Sequence, residues 1–136
     1  MSVKENKALV RQMYELLNRR ELAAHFKLLA PEFVEHDNDR DMSLEQVKEY
    51  NTMFSAAFPD ATSTIEDMVA EGDRVAYRVT WRGTQKGDFM GIPATGKKLE
   101  ITNTTIVKLA GGKWSECWAT VDDLRFLQQM GVIPKK

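Results

Sequence analysis

The sequence predicts an α+β domain in which helices come first and long antiparallel strands follow. Over residues 5–29 and 43–58, apolar side chains recur at three- and four-residue spacing, which is typical of amphipathic helices. After Pro59 the apolar period changes to two, which indicates half-buried strands. Helices followed by a run of strands are the usual pattern of an α+β layer arrangement.

Residues that start or stop a helix mark the ends of the predicted helices. Pro31 blocks continuation of the second helix, because proline has no amide hydrogen to donate. Ser43 and Gln46 have the spacing of a capping box, so a third helix is expected after Ser43. Between them, residues 33–36 predict a short strand or turn. The first three predicted helices are Glu5–Asn18, Glu21–Leu29 and the segment from Ser43 through Phe58.

The second half predicts a meander of strands closed by a short helix. Ala110, Gly111 and Gly112 form a hairpin turn between the last two strands. The final helix runs from about Asp123 to Met130 and is closed by Gly131. The predicted strands are Thr62–Glu71, Val75–Arg82, Lys98–Leu109 and Lys113–Val121.

Composition limits the classes of partner. The chain of 136 residues fits one domain spanning 1–136, with 19 basic and 20 acidic residues and a net charge of −1. Without a basic run beyond Lys135-Lys136, we expect no nucleic-acid partner. The single cysteine, Cys117, fits a reducing compartment, and no long apolar segment predicts a membrane span. We therefore expect a soluble cytoplasmic domain.

The segment 83–96 combines flexibility with an apolar centre. It holds four of the eight glycines, which allow tight turns, but also Phe89, Met90 and Ile92, which are costly to expose to water. A long loop with such a centre is expected to fold over something apolar. We therefore predict that it covers a pocket as a lid.

An ordered series of motifs extends from this loop into the rest of the chain. They are Phe58–Asp60, Glu71–Val75, Gly83-Thr84, Gly87, Phe89–Pro93, Thr95–Lys98, Gly112-Lys113, Trp118, Asp122 and Gln129–Gly131. In these residues the chain resembles the SnoaL-like polyketide cyclase family, within the nuclear transport factor two-like superfamily, over nearly its whole length. This resemblance implies a strongly curved sheet forming a cone closed by the N-terminal helices, and a homodimer formed through the outer sheet face.

Asp122 is the first candidate for a catalytic group. In a regular strand it would share a face with Trp114, Glu116 and Trp118, and a carboxylate beside indole rings loses solvation and becomes a better base. The resemblance implies that the aspartate four residues after the tryptophan is the general acid/base. The alternative is that Asp122 or Asp123 caps the final helix, since aspartate is a preferred N-cap residue.

His36 is the second candidate for a catalytic group, and Gln85 stands where the family pattern has a histidine. The resemblance places His36 near the mouth of the cone, where it could share proton transfer or hold a carbonyl oxygen. The alternative is a surface histidine paired with an acidic neighbour. His25 is expected to face solvent. Many family members carry histidine at the position of Gln85, and a glutamine can orient a carbonyl but cannot carry a proton.

Further residues are predicted to line a substrate pocket. Asn103 and Thr105 interrupt an apolar strand face, so they need a ligand or, as the alternative, partners on neighbouring strands. Neither metal-ligand spacing nor a phosphate-binding loop is present, and we expect no metal or cofactor. The predicted substrate-binding residues are Gln85, Trp118, Tyr14, Phe89, Met90, Asn103 and Trp81.

The resemblance implies a cofactor-independent enzyme acting on a small hydrophobic carbonyl compound. The expected chemistry is acid–base catalysis of an aldol-type cyclisation, with Asp122 and His36 as the catalytic pair. An isomerase or an epoxide hydrolase, with Arg78 or Arg82 holding the epoxide-opening water, is a related alternative. A non-catalytic module that binds a hydrophobic ligand, or that only dimerises, is the alternative from a different class.

Overall fold

The computed structural model describes residues 1–38 and 40–135. In these residues, six strands form one curved sheet, and four helices accompany it. The sheet order is β2-β1-β6-β5-β4-β3. The elements are α1 (Val3–Asn18), α2 (Leu22–Lys27), β1 (Leu29–Asp37), β2 (Arg40–Ser43), α3 (Leu44–Ala57), β3 (Thr62–Glu71), β4 (Arg74–Thr84), β5 (Lys98–Ala110), β6 (Lys113–Val121) and α4 (Asp123–Met130).

Two helices begin with the reciprocal hydrogen bonds of a capping box. Before α3, the Ser43 hydroxyl accepts from the backbone N–H of Gln46, whose side chain accepts in turn from the Ser43 N–H. The predicted start of this helix is therefore confirmed. Ser2 and Glu5 make the same box before α1, which consequently begins two residues earlier than predicted.

The region before α3 contains more strand than the sequence pattern predicts. The second helix ends at Lys27 rather than Leu29, and Leu29 already begins β1. Pro31 lies where the pairing between β1 and β6 shifts register, so the proline is tolerated there. β2 was not predicted, because this four-residue edge strand is rich in polar residues. β1 pairs with β6 in parallel, an exception to the predicted antiparallel sheet.

A β-bulge in β6 determines which of its side chains face the helices. Leu109 pairs with Trp114, but Lys108 pairs with Glu116, so Ser115 is an extra residue on β6. The Ser115 hydroxyl donates a hydrogen bond of 3.0 Å to the carbonyl of Lys108. Because side chains alternate along a strand, one extra residue exchanges the two faces for everything that follows.

The buried side chains form two clusters between the sheet and the helices. One surrounds Tyr77 and Trp114, with Leu9, Val10 and Met13 of α1 packed against them. The other surrounds Phe58 and Trp81 and includes Phe89 of the loop between β4 and β5. None of the helices in the described residues is long and apolar enough to cross a membrane.

His25 lies inside the structure, which corrects the expectation that it faces solvent. Only 4% of it is exposed, and its Nδ1 is 3.1 Å from the carbonyl oxygen of Met13. Burial lowers the pKa of His25 to about 4. His25 therefore ties α2 to α1 as a neutral ring, a role that its position in a mostly polar sequence stretch did not indicate.

Candidate functional site

A cavity of about 480 Å³ lies between the inner face of the sheet and the helices. Helices α1, α3 and α4 each contribute side chains to its wall, as do β1, β4, β5, β6 and the loop between β4 and β5. The volume is within the range of small-molecule sites. We call this cavity the pocket.

The pocket has two ends that correspond to the two buried clusters. At one, which we call the tyrosine end, the hydroxyl oxygens of Tyr14 and Tyr77 are 2.8 Å apart, and Trp114 packs against both rings. At the other, Trp81 and Phe89 are joined by rings of α3 and α4, and the centroids of Phe54 and Trp81 are 4.9 Å apart. An apolar ligand would fit the second end, while the first offers hydrogen-bonding groups.

Two carboxylates of β1 lie on the pocket wall, because alternation along the strand turns Glu35 and Asp37 to the same face. Burial, and then the charge of Asp37, raises the pKa of Glu35 above the usual glutamate range. The thiol of Cys117 donates to Glu35 Oε1 at 3.5 Å. Glu35 is thus a partly desolvated carboxylate that faces a ligand-sized space, the environment expected of a general base.

Two residues that line the pocket each have a buried polar side-chain atom with no hydrogen-bond partner within residues 1–38 and 40–135. These atoms are the Nε1 of Trp114, an N–H donor, and the Oδ1 of Asn103, an acceptor. Leaving such a group unpaired costs about 1–3 kcal/mol. A bound ligand with complementary polar groups would remove this cost. This favours a ligand, rather than a side chain on a neighbouring strand, as the partner of the Asn103 side chain.

The loop between β4 and β5 is anchored to the protein at several points. Phe89 is 3% exposed and packs into the aromatic cluster, and Met90 and Gly91 form a two-residue turn with positive φ. Gln85 is fully buried: its amide N–H donates to Ile92 O, and its Oε1 accepts from the N–H and hydroxyl of Thr95. The loop therefore forms a fixed part of the pocket wall.

These bonds correct the substrate-binding role predicted for Gln85. Its amide is fully engaged within the loop, and Gln85 is absent from the residues that line the pocket. Glutamine at this position holds the loop in shape, which a sequence comparison of loop residues alone could not indicate.

Asp122 caps α4 and does not line the pocket. Its Oδ1 accepts a 3.0 Å hydrogen bond from the backbone N–H of Arg125, and the residue is exposed. The predicted shared face with Trp114 is wrong, because the bulge at Ser115 turns the later residues of β6 over. Asp123, the other candidate for the cap, lines the pocket.

His36 and Trp118 lie together on the outer face of the sheet. Their rings stack at 5.4 Å, and His36 bonds to Asp41 through Nδ1 at 2.7 Å and to Glu116 through Nε2 at 2.5 Å. Neither residue lines the pocket, which corrects the predicted position of both. The structure thus matches the alternative of a histidine paired with acidic neighbours. The hydrogen bonds to Glu116 and Asp41 raise the pKa of His36.

The remaining predicted pocket residues do line the cavity, and their roles as ligand contacts stay predictions. Glu35, Asp37 and Trp114 were missed as site residues. A signal existed for the first two: a short strand over residues 33–36 must turn either His36 or its two acidic neighbours inward. The predicted residues that lie along the cavity are Tyr14, Trp81, Phe89, Met90 and Asn103.

Neither of the arginines suggested for epoxide opening lies in the pocket. Arg78 pairs with Asp67 and Arg82 with Glu100, all on the exposed face of the sheet. Within the described residues, no group of three histidine, cysteine or carboxylate side chains has the arrangement of a metal site.

Known proteins resemble this chain in sequence and in structure. The family model for SnoaL-like polyketide cyclases matches residues 7–130. AclR from Streptomyces galilaeus, a hydroxylase candidate, is 30% identical, with 98% of this chain and 100% of AclR covered and a TM-score of 0.92. IdmH from Streptomyces antibioticus, a polyketide cyclase candidate, is 31% identical, with coverage of 93% and 98% and a TM-score of 0.80.

A more distant structure shares the fold alone. It is a SnoaL-like polyketide cyclase candidate from Jannaschia sp. CCS1, 21% identical, with coverage of 96% and 94% and a TM-score of 0.85. These likenesses confirm the predicted α+β fold with its curved sheet. No curated protein matches the chain.

The two histidines should affect stability with opposite dependence on pH. The raised pKa of folded His36 means that its stabilisation is complete below the unfolded value of about 6.5 and is lost as pH rises through the folded value. The lowered pKa of His25 means that its contribution falls as pH drops from about 6.5 toward 4. Urea unfolding of wild type, His36→Gln and His25→Gln between pH 5 and 9 measures both effects.

For His36→Gln, we expect the largest deficit in unfolding free energy at low pH and a shrinking deficit toward pH 9. His25→Gln serves as the internal control, because its deficit should grow with pH. A His36→Gln deficit that is the same at every pH would show that the ion pairs contribute nothing beyond packing.

Proposed function

The chain belongs to the SnoaL-like polyketide cyclase family, and we propose that it is an enzyme that uses Glu35 as general acid/base in an aldol-type ring closure. The substrate class is a small to medium apolar carbonyl compound. The observation that carries the proposal is Glu35 itself, a desolvated carboxylate with a raised pKa on the wall of a ligand-sized pocket that is lined in part by aromatic rings.

The proposed reaction needs a single group to remove and return one proton. Glu35 as carboxylate takes a proton from the carbon next to a carbonyl, and the C–H electron pair moves to form an enolate. The enolate carbon then attacks a second carbonyl of the same molecule, which forms the ring C–C bond and an alkoxide. The Glu35 carboxylic acid returns the proton to this alkoxide. A raised pKa favours both steps, because it strengthens the base while leaving the acid able to donate near neutral pH.

The pocket supports this substrate class through the character of its walls. The aromatic rings around Trp81 and Phe89 offer apolar surface to a flat ring system, and the anchored loop holds Phe89 in this part of the wall. Asn103 and Trp114 supply an unpaired acceptor and donor for oxygen substituents. Because Asp122 and His36 do not line the pocket, we assign to Glu35 the proton transfer that was predicted for them.

A second candidate function is a non-catalytic module that binds a hydrophobic ligand. Gln85 favours this candidate, because glutamine has no proton to transfer in acid–base catalysis and its amide forms hydrogen bonds within the loop. The two candidates differ in one measurable property. Both bind an apolar ketone, but only the enzyme removes a proton from it.

A simple carbon acid tests the proposed base. We expect the protein to accelerate deuterium exchange at the carbons next to the carbonyl of 2-tetralone in D₂O, followed by NMR. Glu35→Gln should slow this exchange by about 10²–10⁴-fold, because the amide cannot accept the proton. Asp122→Asn is the matched control: asparagine is also a preferred N-cap, so the helix cap and the exchange rate should both be retained.

Two outcomes would contradict the proposal. Loss of exchange in Asp122→Asn with retention in Glu35→Gln would restore Asp122 as the base. Binding of 2-tetralone by wild type without exchange above the buffer rate would favour the binding module.

We also propose that the protein is a homodimer that pairs through the outer face of its sheet. A row of apolar and aromatic side chains crosses five strands there, with Val69 67% and Ile106 42% exposed. A second copy of the same row, related by a twofold axis, would cover both rows from water. The row consists of Val69, Ala76, Ile106, Trp118 and His36.

Light scattering after size-exclusion chromatography measures this association. We expect wild type at twice the chain mass of 15.5 kDa, and Ile106→Glu at 15.5 kDa, because burying the new carboxylates would be costly. Leu124→Glu, at an exposed apolar position on α4, should leave the mass unchanged. A wild-type mass of 15.5 kDa would rule out the proposed dimer.

A further inference from the structure

Trp114 lines the pocket, and its buried indole N–H is not used as a hydrogen-bond donor within the described residues. Trp114 is 6% exposed. Tryptophan is rarely buried without a partner for this group. An unpaired buried donor is costly, and an acceptor atom on a bound ligand would remove that cost.

The groups around Trp114 determine what such a ligand must offer. Its ring centroid is 6.4 Å from that of Tyr14 and 6.3 Å from that of Tyr77. The two tyrosine hydroxyls bond to each other at 2.8 Å, and burial raises the pKa of both, so they remain neutral hydroxyls. An indole N–H can only donate, and the site therefore calls for an acceptor atom on the ligand.

The charges nearby narrow the choice of acceptor. Glu35 and Asp37 lie on the same pocket wall, and Glu35 interacts electrostatically with Tyr14 and Cys117 at the tyrosine end. An anionic acceptor group on the ligand would be repelled by these two carboxylates. A neutral carbonyl oxygen satisfies the donor without that repulsion and can gain negative charge only as a proton leaves the neighbouring carbon.

We propose that the Trp114 indole N–H, beside the Tyr14 hydroxyl, binds the carbonyl oxygen of a ketone ligand and stabilises the negative charge that develops on it. Stabilisation of the developing charge rests on the proposed function, since the charge develops when Glu35 removes the proton. Binding of the carbonyl oxygen is an equilibrium property and does not depend on turnover. Trp114 is then a catalytic residue that touches the reacting carbonyl.

A ketone and its hydrocarbon counterpart separate this role from packing. We expect Trp114→Phe, which keeps an aromatic ring but removes the N–H, to weaken binding of 2-tetralone by about fivefold to tenfold in equilibrium dialysis. Binding of tetralin, which lacks the oxygen, should change far less. Equal weakening of both ligands, or no weakening of the ketone, would overturn the proposal.

A measurement on the unmodified protein keeps the test decisive if Trp114→Phe does not fold. With ¹⁵N-labelled tryptophan, the chain gives signals from three indoles. Addition of 2-tetralone, but not tetralin, should shift the Trp114 indole proton to lower field, as a new hydrogen bond does. Trp118→Phe and Trp81→Phe each remove one of the other two signals, so the signal present in both variants is that of Trp114. An indole shift that is the same with both ligands would contradict carbonyl binding.

The two proposals fail in different ways. If Trp114→Phe loses the preference for ketone but wild type shows no exchange, the carbonyl site stands and the proposed enzyme does not. If the enzyme is active, Trp114→Phe should also slow exchange by about 10²–10³-fold, the usual cost of removing one donor to a developing oxyanion. Glu35→Gln should keep the preference for the ketone.

Discussion

The extra residue at Ser115 is the constraint on which the arrangement of the pocket depends. Before the bulge, Trp114 points toward the helices; after it, Cys117, Ala119 and Val121 do so. Without the bulge, Trp114 and Cys117 could not both lie in the pocket, since side chains alternate along a regular strand. The bulge thereby brings an unpaired donor and the thiol that contacts Glu35 to one wall, and it leaves Trp118 on the outside.

The polar groups of this wall carry a cost in stability that function would explain. Burial of Glu35 next to Asp37 disfavours its charged form, and an unpaired indole N–H loses a hydrogen bond that it would make in water. Two neighbours limit this cost but do not remove it. The Cys117 thiol donates a hydrogen bond to Glu35, and the charge of Arg40 opposes the increase in the pKa of Glu35, which stays raised. Such unfavourable groups concentrated around one ligand-sized space are characteristic of active sites.

Local signals in the sequence were sufficient for most of the fold. The capping box at Ser43, the glycine turn at residues 111–112 and the αL glycine that closes α4 each act within a few residues, so a pattern can predict them. The site was predicted less well, because its geometry depends on pairing between distant strands. The bulge on β6 and the parallel alignment of β1 beside it do not show in the apolar periodicity of the sequence. As a result, Asp122 and His36 were predicted to face the pocket, whereas Glu35 and Asp37 are the residues that line it.

The pH dependence of 2-tetralone exchange tests the role of Glu35 most directly. A base with a raised pKa predicts an acid limb in the rate profile with its midpoint above the ordinary glutamate value of about 4.3, and Asp37→Asn should move this midpoint to lower pH by removing a neighbouring negative charge. Asp122→Asn should leave the limb in place. A midpoint at the ordinary value that does not respond to Asp37→Asn would contradict the account.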